Sequence, residues 1–316
     1  MVLQPSVFQE VNVNGAQNLI SAAFKVGTVQ AFVNTSTSSV IHDNISDLID
    51  ADENLPVLQY PAQKRVYTLT KAVAEADILA ANRKYGSSSM LTVPLRPATA
   101  FGERDTICIG KIIDVCRQGK EKFQISAGKN EYDFIYVGNL AEAHNLAAQA
   151  LLHACGKPVP PLEALVDGQT FNITKDDRIL FWEFQRRISA VIGFLIKDED
   201  IKIIPKWLAL LMAVLVEYII WIRSSDTRQP SVTRKSVRLT TMIRTLNGEK
   251  AKRVLGYTPK VSILVGIERG EVGSGLWKRQ SKQKLGKWST EGWLSRKGKG
   301  CQLRGTFVLH LIEIIR

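Results

Sequence analysis

Between residues 8 and 154, stretches with helical spacing of apolar side chains alternate with short apolar runs bounded by turn residues, and this alternation constrains the fold more than any other feature of the sequence. FQEVNVNGAQNLISAAFKV (8–26) sets Val11, Leu19, Ile20 and Ala23 along an amphipathic helix. VQAFVNTSTSSV then opens β-branched and apolar and closes in hydroxyls, as a buried strand running into a loop does. Helical spacing returns over 62–85, 106–118 and 139–154, and strand-like runs over 89–96 (SMLTVPLR) and 132–137 (YDFIYV). After the turn-rich GKPVPPLEALVDG come a short strand in QTFNI and a helix from about 180 to 194. Strands separated by helices of this length predict βαβ units and a parallel sheet, so the fold class is α/β. The order is helix first and strand second, and a sheet wound this way is expected to have strands earlier than any this sequence holds.

Two further features bear on partners. From Trp207 to Ile222 the chain reads WLALLMAVLVEYIIWI between Lys206 and Arg223, 16 residues. As a helix that is about 24 Å, against about 30 Å of bilayer hydrocarbon. Trp207, Tyr218 and Trp221 near its ends suit interfacial anchors, whereas Glu217 is costly at a bilayer centre. The segment therefore reads either as inserted or shallowly embedded in a membrane or as a buried core helix. The net charge is +12, but ten Lys or Arg against three Asp or Glu lie in 270–316, which leaves an ordinary balance elsewhere. That Gly-, Lys- and Ser-rich tail reads as solvated, and no nucleic-acid partner is expected. Cys108, Cys116, Cys155 and Cys301 show no C-x-x-C spacing, so neither a disulfide framework nor a metal site is indicated.

The candidate chemistry begins at Tyr67-Thr-Leu-Thr-Lys71. A spacing of four puts phenol and ammonium on one helical face, where the cation favours the phenolate and suits the tyrosine to proton exchange with an alcohol or carbonyl oxygen. Alone the pattern is common and reads equally as a solvated pair. Its setting is more specific: a strand ending Thr35-Ser-Thr-Ser-Ser39 precedes it, and a strand ending LRPATAFG follows. Both place polar groups at the carboxyl edge of a sheet, where α/β folds bind ligands.

With NVNGAQNLISAA, FVNTSTSSVIHD, YTLTKAVAEADILAAN, LTVPLRPATAFGERD, YDFIYVGNLAEAHNLAA and KAKRVLGYTPKVS, the chain resembles the extended short-chain dehydrogenases, and among them the 3β-hydroxysteroid dehydrogenase/isomerase branch with its decarboxylating sterol-4α-carboxylate 3-dehydrogenases, over about residues 8 to 269. The resemblance implies a partial Rossmann-type, doubly wound domain over 1–160 without its N-terminal strands. It further implies a substrate region over 161–269 with a membrane-associated helix at 205–223, and an unrelated tail over 270–316. It makes Tyr67 the catalytic acid/base and Lys71 its partner and a ligand of the nicotinamide ribose. The position usually held by the catalytic serine falls on Thr37, with Ser36 or Ser38 as fallback. Pro97 and Thr99 fall where the family lines the nicotinamide. Asn12 reads as structural, and His144 as a hydrogen-bonded helix residue; His42, His153 and His310 show no partner pattern.

The implied activity is oxidation or reduction at the 3-position of a sterol or related polycyclic terpenoid, with decarboxylation at C4, using NAD or NADP. A homodimer at the cytosolic face of the endoplasmic reticulum membrane is implied as well, the cytoplasm being the alternative. The family's G-x-x-G-x-x-G turn, whose backbone meets the cofactor pyrophosphate, occurs nowhere in the 316 residues. A non-catalytic remnant or incomplete gene product is therefore one alternative reading, and a nucleotide-sugar epimerase or dehydratase of the same superfamily another.

Overall fold

A computed structural model describes residues 4–86, 89–175, 177–224 and 232–270. The chain opens as one helical stretch, α1 (Pro5–Phe8), a π-helical segment (Gln9–Asn14) and α2 (Gly15–Val26). Gly27 ends α2 in the left-handed region, φ 71°, which a residue without Cβ adopts at little cost. β1 (Ala31–Thr35), a 3₁₀ turn at Ser38–Ile41 and β2 (Leu48–Ala51) follow. α3 (Val66–Ala80) is shorter than the spacing over 62–85 predicts. Residues before it are drawn onto the 3₁₀ turn instead: Gln63 Nε2 donates to the His42 carbonyl at 2.6 Å, and Arg65 enters the helix in extended conformation.

Next come β3 (Leu91–Pro97), β4 (Thr99–Phe101), α4 (Ile109–Arg117), β5 (Phe123–Ile125), β6 (Glu131–Tyr132), β7 (Phe134–Tyr136) and α5 (Val137–Ala154). The remainder runs β8 (Phe171–Ile173), β9 (Ile179–Leu180), α6 (Phe181–Val191), β10 (Lys202–Ile204), α7 (Lys206–Ser224), α8 (Arg234–Leu239), β11 (Arg244–Leu246) and α9 (Glu249–Leu255).

β1, β3 and β8 form a parallel sheet in that order, in register from Ala31–Leu91 to Thr35–Leu95. Successive side chains of a strand face opposite ways, and both faces are covered. Phe32 packs with Ala23 of α2 and Ile78 of α3, while Val33, Leu91, Val93 and Leu95 join Ala143, Ala147 and Leu151 of α5. The α/β class and parallel sheet expected from the sequence are thus present. The strand in QTFNI, expected in a separate substrate region, completes this sheet as β8.

The rest of the chain builds small sheets around an aromatic core. β2, β11 and β6 run parallel with β9 antiparallel at the edge, and β4 pairs with β7 and β5 with β10. Phe101, Phe134 and Phe184 are fully buried, the last two stacked with ring centroids 3.7 Å apart. The expected strand 132–137 is two short ones in different sheets. Asp133, between them, turns to β11: its amide donates to the Arg244 carbonyl and its carboxylate accepts the Leu246 amide at 2.7 Å.

α7 corrects the reading of the apolar segment in two ways. It is not a core helix, because Ala209 and Ala213 alone among its described side chains are buried, against Val237 of α8. Nor, among the described residues, is any helix long and apolar enough to cross a membrane. The basic tail beyond Gly270, with Cys301 and His310, lies outside the described residues.

Candidate active site

The carboxyl ends of β1 and β3 and the first turns of α3 meet at one place. Ser36 continues β1 by donating its amide to the Leu95 carbonyl at 2.7 Å, which holds the following hydroxyls at the mouth of the sheet. Thr37 then caps the 3₁₀ turn, its Oγ1 accepting from the Ser39 amide at 3.2 Å. That bond uses an acceptor lone pair and leaves the Thr37 O–H proton as a donor.

Of the fallback hydroxyls, Ser36 is committed as a donor, whereas Ser38, like Thr37, accepts and so keeps its O–H proton. Ser36 donates to Glu75 on α3, and Glu75 is clasped by Arg96 of β3 through Nη2 at 2.5 Å and Nε at 3.1 Å. All three residues are buried. Ser38 Oγ accepts from Arg244 at 2.9 Å.

α3 presents Lys71 and Glu75 on its buried face, one turn apart. Lys71 is 7% exposed, and its Nζ donates to the Thr35 carbonyl at 3.1 Å, so the ammonium is fixed to the end of the strand that carries Thr37. Tyr67, one turn earlier, is half-buried with its ring edge-on to Phe8, centroids 5.8 Å apart. Asn12 donates to Thr70 at 3.0 Å and ties the π-helical segment to α3, a structural role.

Pro97 is buried at the end of β3, and Thr99 opens β4 with its hydroxyl donated to the Tyr132 phenol at 3.3 Å. His144 bonds twice within the core. Its Nδ1 faces the Leu140 carbonyl at 2.8 Å and must carry the proton, so Nε2 accepts from the Thr35 hydroxyl at 2.7 Å. His42 bonds the Ser46 carbonyl at 2.8 Å; burial first, and Arg244 nearby, pull its pKa below the ordinary imidazole value.

Arg65, Tyr132 and Arg244 are not singled out by sequence patterns. Arg244 reaches Ser38 and Ser39 across more than two hundred residues of chain and donates to the Tyr132 phenol at 3.1 Å. Arg65 stands two residues before Tyr67 at the start of α3 and next to Arg244 electrostatically. The Glu75–Arg96 pair was half visible, since both residues lie in the quoted YTLTKAVAE and LRP stretches, but their pairing was not.

The model of the 3-beta hydroxysteroid dehydrogenase/isomerase family matches residues 2–203, which hold the whole Thr37–Tyr67–Lys71 arrangement. The chain belongs to this family. Within it, the chain is 36% identical over 265 residues to sterol-4-alpha-carboxylate 3-dehydrogenase, decarboxylating, of Saccharomyces cerevisiae, covering 84% of this chain and 71% of that protein. It is 39% identical over 261 residues to 3beta-hydroxysteroid-dehydrogenase/decarboxylase isoform 1 of Arabidopsis thaliana, covering 82% of this chain and 56% of that one. In fold it is similar to dTDP-glucose 4,6-dehydratase of Bacillus anthracis in complex with NAD, with TM-score 0.55, 16% identity, and coverage of 91% of this chain and 73% of that one. At that identity the likeness concerns the backbone alone and lends the nucleotide-sugar reading no support.

Proposed function

We propose that this chain carries the catalytic residues of a nicotinamide-dependent dehydrogenase that oxidises the 3-hydroxyl of a sterol or related polycyclic terpenoid bearing a 4-carboxylate. Family membership supports the chemistry, and the activities for which the relatives are named supply the substrate class. The observation that carries the reading is the buried Lys71 ammonium seated on the strand end that leads into Thr37, one helical turn from Tyr67.

In this reading Thr37 donates its O–H to the substrate oxygen and orients it. Tyr67 takes the hydroxyl proton, and Lys71 stabilises the phenolate that receives it. A bound nicotinamide accepts the hydride from the carbinol carbon. Lys71, Pro97 and Thr99 fit that ring and its ribose, because Pro97 ends β3, Thr99 follows it by two residues and Lys71 reaches from α3 to the end of β1, beside the carboxyl ends of parallel strands where such sheets bind ligands. Oxidation leaves a β-keto acid, which loses carbon dioxide through its enol without a further catalytic group.

Docking at a membrane surface belongs to the same proposal. A sterol partitions into bilayers, and α7 turns Trp207, Leu211, Leu215, Tyr218 and Ile222, five positions on one helical face, outward with roughly half or more of each side chain exposed.

Fluorescence titration of the chain with NADH and NADPH, followed by assay with a 4-carboxylated 3β-hydroxysterol, tests the reading. Binding in about the micromolar range and turnover that drops by about 10² or more in Tyr67→Phe are expected. Unchanged turnover in Y67F would remove Tyr67 from the chemistry, and absence of any dinucleotide binding would favour a non-catalytic chain.

A further inference from the structure

β1 ends in a peptide that is gripped at three points. The Ser36 amide donates to the Leu95 carbonyl of β3 at 2.7 Å, and the Ser36 hydroxyl donates to Glu75 of α3. The Thr35 hydroxyl, on the sheet face that packs against α5, donates to Nε2 of His144 at 2.7 Å. A trans peptide is planar, with its N–H and C=O pointing opposite ways, so turning the Ser36 N–H towards β3 turns the Thr35 carbonyl away from it. There the Lys71 ammonium meets that carbonyl at 3.1 Å.

The third grip is the one that packing alone does not explain. His144 is 6% exposed and sits on the face of α5 where Ala143 and Ala147 join the core beneath β1. An apolar side chain fills such a position without the desolvation cost of an imidazole, and a buried polar ring is tolerated when its nitrogens are bonded. Nδ1 donates to the Leu140 carbonyl at 2.8 Å, a contact within the helix that decides which nitrogen carries the proton. Nε2 is then left to accept, and this sets the direction of the Thr35 O–H.

We infer that Thr35 and His144 are positioning residues for the reaction, acting through Lys71: they hold the carbonyl that seats its ammonium one helical turn from Tyr67. The inference rests on the dehydrogenase reading above and adds to it two residues that work from the far side of the strand. A lysine ammonium is a compact charge on a flexible four-carbon stem, and its support of a phenolate weakens as the two charges separate. An ammonium held on a fixed carbonyl therefore stabilises the phenolate more than one that swings on its stem. Breaking the Thr35–His144 bond frees the strand end on the α5 side and loosens that seat, with Thr37, Tyr67 and Lys71 all still present.

Nitrogen NMR of the full chain with isotopically labelled lysine reads the seat directly, the Lys71 Nζ signal being assigned by its absence from Lys71→Met. Thr35→Val keeps the side-chain shape and removes the hydroxyl, and His144→Phe keeps a ring and removes both nitrogens. Each is expected to move the Lys71 signal towards that of the solvent-exposed lysines. Each is also expected to lower kcat about tenfold, while KM for a 4-carboxylated 3β-hydroxysterol stays within about twofold. Thr35→Ser and His144→Gln, which restore a donor and an acceptor, are expected to recover most of both. T35V with H144F is expected to lose no more than either alone, because the two residues form one link. An unmoved Lys71 signal in T35V, or a kcat within about twofold of the original, overturns the positioning role and leaves the dehydrogenase reading in place; T35V decides by itself should H144F not fold. Absence of turnover by the unaltered chain, with sterol and dinucleotide supplied, overturns the dehydrogenase reading and the positioning role with it.

Discussion

Glu75 and Arg96 show how one buried pair organises the site from beneath. Glu75 accepts from Ser36 and from Arg96, so the first hydroxyl after β1 is held in the framework and the next, Thr37, which accepts from the Ser39 amide, keeps its O–H proton as a donor. Truncating one partner of such a pair strands the other charge in the core. Glu75→Gln is therefore expected to cost about 3 kcal/mol or more in urea unfolding, because Arg96 is left without its counter-charge. A loss below about 1 kcal/mol would mean that water reaches Arg96 and that the pair does not organise the strand ends. Serine at 36 and threonine at 37 look interchangeable in a hydroxyl-rich run; only their partners separate a structural hydroxyl from a candidate catalytic one.

At the scale of elements, α7 separates what apolar content says from what burial says. A helix so rich in Leu, Val and Ile reads as core or membrane, yet it packs through Ala209 and Ala213 and leaves its large side chains outward. Small residues on the packed side bring α8 close, and the opposite side offers aromatic residues at both ends, Trp207 and Trp221, each more than half exposed. Vesicle flotation checks the proposed docking. The chain is expected to float with phosphatidylcholine vesicles, and Trp207→Ser with Trp221→Ser to weaken that binding by about tenfold or more, given about 2 kcal/mol for burying a large apolar side chain. The same substitutions are expected to leave thermal stability nearly unchanged, since each ring is more than half exposed and the stacking partner of Trp221, Tyr218, is itself an exposed residue of the same helix. A chain that stays with the soluble fraction would sink the docking proposal.

Across the whole molecule, the polypeptide passes repeatedly between the parallel sheet and the aromatic region. It leaves the sheet after β1 for β2, returns as β3, leaves for β4 to β7, returns through α5 and β8, leaves again for β9 to β11, and packs α9 back against the same core. The 3₁₀ turn, β3 and α5 each carry residues of one region directly into the other. Unfolding is accordingly expected as a single calorimetric transition over the described body, because neither region is built from one continuous stretch of chain. Two well-separated transitions would show that the regions are energetically independent despite their shared strands. Such interleaving also explains why a boundary near 160 is a poor guide: β8 lies beyond it and belongs to the first sheet, whereas β2 lies before it and belongs with β11.

Much of the candidate site was legible because its chemistry is local. Tyr67 and Lys71 are bound to one helical face by a spacing of four, and the hydroxyl run follows a strand whose β-branched residues mark it as buried. His144 was legible for the same reason, its Nδ1 bond to the Leu140 carbonyl being an i to i−4 contact. The sequence by itself therefore determined the α/β alternation, the parallel pairing and the residues of the Tyr–Lys motif, since these depend on periodicity and on neighbours within about one turn. Only the tertiary structure decided which hydroxyl is committed as a donor, that α7 is exposed, and that Arg244 stands beside Ser38 from the far end of the chain. Those outcomes depend on pairings between distant segments, and no local spacing encodes which carboxylate a buried guanidinium meets, or that it meets none.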